Sequence, residues 1–241
     1  MRCRCCLILA TLVTGLNIPL PAIAQDHQHD LGTVSFPTSC QPAVQSEFEK
    51  GVAMLHSYWF NYAGQTFRSV LDKDPGCAMA YWGIALDLMG NTLSSPPSAQ
   101  VARSAWELLE KARSVEVRTE RERLWLDASR AYFKDYDTVS VERRLSAYND
   151  AMRQLTERFP QDFEAQVYYA LTLQASAPKG DMTYANQNRS VALLEKLYAS
   201  NPQHPGITHY LIHGYDFAPV AEQGIPAARR YAAIAPAVPH A

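Results

Sequence analysis

The stretch Pro202-Gln-His204-Pro205-Gly-Ile-Thr-His209-Tyr-Leu-Ile-His213-Gly-Tyr-Asp216, continuing to Ala235-Pro236, carries the pattern from which the rest of the chain can be read. Pro202 and Pro236 stand 34 residues apart, and each follows an apolar helical run: Leu193, Leu194, Leu197 and Tyr198 before the first, Ala228, Tyr231 and Ala232 before the second. Proline has no N–H with which to extend a helix and drives the preceding residue out of the helical region. The interval therefore holds two short helices, Pro205 to about Asp216 and about Ile225 to Ala235.

The same punctuation occurs upstream at Asp74-Pro75 and Phe159-Pro160. After Pro75, the residues Tyr81, Ile84, Ala85 and Leu88 share one helical face; after Pro160, Ala165, Tyr169, Ala170 and Leu173 repeat the layout. An aromatic residue, a leucine-like residue and then a small residue, on a 34-residue spacing, resembles the tetratricopeptide repeat family over residues 46 to 90 and 144 to 216. The intervals of 85 and 42 residues between the other prolines require one more helix pair and a loop insertion. The resemblance implies an all-α, right-handed superhelical solenoid of antiparallel helix pairs, the first helix of each pair lining a concave groove. Apolar stripes predict ten helices, opening with one that carries Phe48, Gly51, Val52, Met54 and Leu55. Gly51 stands where the family places a small residue for close helix contact. Thr119-Glu-Arg-Glu122 reads as a capping box at the start of the fifth helix, and Asp181 as the start of the eighth. Strand signals are lacking.

Residues 1–24 read as a secretory signal, with Arg2 and Arg4, an apolar core from Leu7 to Ile18 and the small-residue site Ala22-Ile23-Ala24. The apolar run is too short to span a membrane. Residues 25–42 are polar and proline-containing and read as an extended arm, and 43–241 as the helical repeat domain. That domain ends where another helix pair would begin, so the chain is expected to be a piece of a longer array. Without Arg2 and Arg4 the balance is 20 basic against 24 acidic residues, a net charge of −4. A nucleic-acid partner would want a basic stripe instead.

Removal of the leader also removes Cys3, Cys5 and Cys6 and leaves Cys40 and Cys77. An exported chain meets an oxidising compartment, periplasmic or extracellular, where these two are expected to pair. The alternative is a free Cys40 beside a small buried Cys77.

The family geometry carried onto this sequence places His56, Trp82, His209, His213 and Asp216 on the groove. His209, His213 and Asp216 follow one another at i, i+4 and i+7, on one face of a helix. Two imidazoles one turn apart can hold a divalent metal, with Asp216 or His204 as third ligand. Tyr210, Leu211 and Ile212 lie between them, so the glutamate of the zinc-protease helix is missing. His27, third from the new amino terminus at Gln25, could join a square-planar nitrogen set for Cu(II) or Ni(II). Beyond the leader, residues 25–241 carry no phosphate-cradling loop, Cys-x-x-Cys or nucleophile elbow. The resemblance thus implies a non-catalytic scaffold that takes a peptide or protein in its groove. The alternative is a protein that binds Cu, Ni or Zn through His209, His213 and Asp216.

Overall fold

A computed structural model describes residues 31–241. The leader, and His27 with the segment around it, lie outside the described residues. Regular structure among the described residues is all helical: α1 (Gln45–His56), α2 (Tyr62–Lys73), α3 (Ala78–Met89), α4 (Ala99–Ser114), α5 (Glu120–Phe133), α6 (Val141–Arg158), α7 (Phe163–Ala175), α8 (Ala185–Ser200), α9 (Pro205–Tyr215) and α10 (Ile225–Ile234). Short 3-10 turns at Pro42–Val44 and Ala221–Gly224 lead into α1 and α10.

Side-chain caps set several of the starts. Ser98, Ser140 and Asp162 accept the N–H of Val101, Arg143 and Ala165, satisfying donors that a first turn leaves open. Helix α8 begins four residues later than its sequence suggests. The Asp181 carboxylate binds Thr183 through its N–H at 2.9 Å and its hydroxyl at 2.6 Å, holding a turn, and Tyr184 adopts a left-handed φ of 52°.

Consecutive helices pack side by side along the chain, and the odd-numbered ones form an inner layer, α1 on α3, α3 on α5 and α7 on α9. Trp125 of α5 meets Tyr168 of α7 edge-on at 5.4 Å. Helix α9 then packs against α1. In an open array each repeat touches only its neighbours. Here the first and last pairs meet, and the space an open superhelix would leave as a groove is filled. Trp82, expected on that groove, is fully enclosed, its ring 5.3 Å from Phe36, 5.3 Å from Trp125 and 5.8 Å from Tyr168. Cutting such a side chain back to alanine costs about 3–5 kcal/mol. Close helix approach depends on glycine where it was expected: a Cβ on Gly51 would stand 2.8 Å from the Phe67 ring.

From residue 31 onward the arm lies along the helices, with Leu31, Val34 and Phe36 buried and exposed residues between them. Phe36 is fully buried at the centre, against Phe48 at 5.4 Å and Trp125 at 4.9 Å. Its flanking backbone is held by side chains of the helices: Glu49 accepts from Phe36 N, Glu122 from Ser39 N and Oγ, and Asp74 from Gln41 N. This changes the role of the capping box. Thr119 Oγ1 accepts the Glu122 N–H at 3.1 Å as expected, but the Glu122 carboxylate serves Ser39 and the Thr119 hydroxyl. Beside this anchor the sulfurs of Cys40 and Cys77 stand 2.00 Å apart, at disulfide distance, joining the arm to the start of α3.

Candidate metal centre

Helix α9 is positioned from both ends. At its start His204 accepts the Ile207 N–H on Nδ1, which leaves the ring proton on Nε2, donated to Glu164 Oε1 at 2.9 Å. The other Glu164 oxygen takes Nε2 of His56 at 2.9 Å, and Nδ1 of His56 meets the Tyr210 hydroxyl at 3.0 Å. All four residues are buried. Burial pushes the Glu164 carboxyl upward, but the two imidazoles outweigh it and hold it at about 2. Burial lowers His56 despite the neighbouring carboxylate, so the contact is a hydrogen bond from a neutral ring to an anion rather than an ion pair. The close approach of α9 to α1 needs Gly206, where a Cβ would lie 2.4 Å from His56 Nδ1.

One turn further on, the buried His209 ring comes within 2.6 Å of the His56 main-chain carbonyl through Nδ1. A carbonyl only accepts, so Nδ1 carries the proton and Nε2 presents a lone pair. That carbonyl is one of the last in α1, where helical partners run out. The Nε2 of His213 lies 3.1 Å from His209 Nε2, and the Nε2 of His240 lies 3.2 Å from it. His240 arrives from beyond α10: the chain turns after Ala235, Val238 is buried and donates its N–H to the Ala235 carbonyl at 3.0 Å, and the turn brings the imidazole back. The three ligand nitrogens all lie within 4.8 Å of one another.

Hydrogen bonding cannot satisfy this trio, since the single lone pair of His209 Nε2 faces two approaching nitrogens. A cation can. With Zn–N bonds of about 2.0–2.1 Å, the nitrogens on one face of a tetrahedron stand about 3.3 Å apart, close to the two separations from His209 Nε2. His209 and His213 are also held towards the metal-binding, neutral form. Burial drives His209 down to about 3, against the His56 carbonyl bond that favours its charged form, and burial lowers His213 as well. Fixing the far nitrogen of a ligand histidine on a carbonyl is the usual means of setting its tautomer and aim.

Two tyrosines wall the cluster. Tyr231 lies parallel to the His209 ring at 4.9 Å. Tyr58, in a left-handed conformation with φ of 51°, touches all three imidazoles, with ring centres 4.4 Å from His209, 5.7 Å from His213 and 6.2 Å from His240.

The structure therefore joins His209 and His213, as their spacing requires, and sets Asp216 aside. Helix α9 ends at Tyr215, so the i+7 relation lapses at Asp216, an exposed C-cap residue outside the nitrogen cluster. His240 stands in its place. His56 serves the cluster through its carbonyl, and its side chain is turned into the core. Glu164, Tyr58 and Tyr231 had no sequence signal beyond their places in helical stripes or loops. A cleft of about 800 Å³ lies elsewhere, beside the starts of α5, α7 and α9. Its arginines are occupied, Arg121 by Asp162 and Arg158 by Glu120. The chain matches no known family model, no curated protein and no solved structure.

Proposed function

We propose that this protein binds a borderline divalent metal ion, Zn(II), Cu(II) or Ni(II), through His209, His213 and His240. The convergence of three Nε2 atoms, one of them fixed from behind by the His56 carbonyl, carries the reading. An all-imidazole set suits these ions, whereas Ca(II) and Mg(II) seek oxygen. The arrangement is that of an exported metal-handling protein, in keeping with the leader-like start and the disulfide-distance cysteines. The recurring helix pairs support a relation to the tetratricopeptide layout, bent round until its ends meet. A groove-borne peptide has less support, because Trp82 and His56 offer no surface to it.

The test is elemental analysis of protein exported to its native compartment and dialysed, beside a His209→Ala, His213→Ala variant. About one ion per chain in the parent and none in the variant is the expected result. A parent that holds no ion after incubation with Zn(II), Cu(II) or Ni(II) overturns the proposal.

A further inference from the structure

We infer that the ion held by His209, His213 and His240 keeps one coordination position for a small anionic donor from solution, secured by the hydroxyls of Tyr58 and Tyr231. The inference rests on the metal reading above and concerns what the site does with the ion.

Charge is the first reason. Three imidazoles are neutral ligands, so a divalent ion keeps its full double charge. No carboxylate or thiolate joins the nitrogen cluster among the described residues. A site of this kind attracts an anion or ionises a bound water. Geometry is the second. Three nitrogens within 4.8 Å of one another, two of the separations at 3.1 and 3.2 Å, fill at most three positions of a tetrahedral ion, and a fourth is left over. The ligands grade from buried His209 through half-buried His213 to exposed His240, so the site borders solvent.

The third reason comes from the surroundings. The hydroxyls of Ser57, Tyr58 and Tyr231 are buried and form no hydrogen bond of ordinary geometry, although those of Ser57 and Tyr231 approach one another. An unpaired buried hydroxyl is costly, and such groups in a native fold call for an explanation. Tyr58 and Tyr231 are the residues whose rings lie on His209. Tyr58 is moreover held in a backbone conformation that non-glycine residues seldom adopt. Tyr58 and Tyr231, whose rings lie on His209, thus carry buried hydroxyls short of acceptors at a site whose dication would lack an anion, and one anionic ligand would answer both. The shared chemistry is a compact oxygen or nitrogen donor bearing negative charge, such as hydroxide, a carboxylate or azide.

The experiment loads the full chain with Co(II), whose visible bands report coordination, and titrates it with sodium azide. Saturable movement of the bands is the expected result. A Tyr58→Phe, Tyr231→Phe variant should take up Co(II) as the parent does and bind azide about tenfold more weakly, the loss of hydrogen bonds to a charged group. Bands indifferent to azide in the parent overturn the inference while leaving the metal reading intact. If a His27→Ala change then makes them responsive, the fourth position belongs to that residue. Unchanged azide affinity in the double variant removes the hydroxyls from the site. Failure to take up Co(II), Zn(II), Cu(II) and Ni(II) alike overturns both readings.

Discussion

Two groups of three side chains meet at His56, one through its ring and one through its carbonyl, and they differ in whether a carboxylate is present and in burial. In one, His56 and His204 both give a proton to Glu164, and the other nitrogens find Tyr210 and Ile207. Every polar atom in it is answered from within the protein. In the other, His209, His213 and His240 bring nitrogens together with no carboxylate between them. The first joins α1, α7 and α9; the second is the group that the proposed cation would complete. Two histidines around an acid make a brace, and three histidines without one make a candidate binding site.

That contrast can be broken most forcefully at Glu164. Glu164→Ala leaves two buried N–H donors unanswered and should cost about 2–6 kcal/mol, about 1–3 for each, read as a lower denaturation midpoint at unchanged slope. A midpoint equal to the parent's would show that the brace does not hold the fold. The next effect belongs to the other group. Metal at about a hundred times its dissociation constant should stabilise the parent by about 2.7 kcal/mol, and a thermal scan of His209→Ala should lose that gain. An equal metal-induced rise in both would place the ion elsewhere.

Acid should act on both groups in one direction. His209 is held at about 3 in the fold and His56 is lowered also, from 6.5. Their neutral forms therefore contribute stability that is complete above about 6.5 and is lost as pH falls towards 3. Glu164, held at about 2 instead of 4.5, adds a contribution lost below about 4.5. Denaturation midpoints of the metal-free protein should be level from pH 8 to about 6.5 and fall below it; a rise on acidification would contradict the neutral, buried placement of these rings. The smallest difference separates the two third-ligand candidates. His240→Ala should weaken metal binding about tenfold or more, whereas Asp216→Ala should leave it nearly unchanged. The reverse order, in a competition titration with a chelator, would restore the ligand set expected from spacing.

The helices were legible because prolines and apolar stripes act locally. Pro75, Pro160, Pro202 and Pro236 each lie just beyond the end of a helix, and the expected number of helices is the number seen among the described residues. The His209–His213 pairing was legible for the same reason, being one turn of one helix. What escaped depends on contacts remote in sequence. The Phe36 ring at the centre of the fold, the return of His240 and the meeting of α9 with α1 all depend on tertiary packing, and a polar, proline-containing arm does not announce that one of its residues is core. Asp216 was misplaced because helical periodicity was carried one residue past the end of α9.

The seam between α1 and α9 also limits how such a chain can vary. An open array can gain or lose a helix pair at any position and leave its other interfaces standing. Here a pair inserted between α1 and α9 would move the His56 carbonyl away from His209, which are 153 positions apart in sequence yet 2.6 Å apart in space. The number of helices between α1 and α9 is thereby tied to the His56–His209 contact, and with it to the candidate metal site.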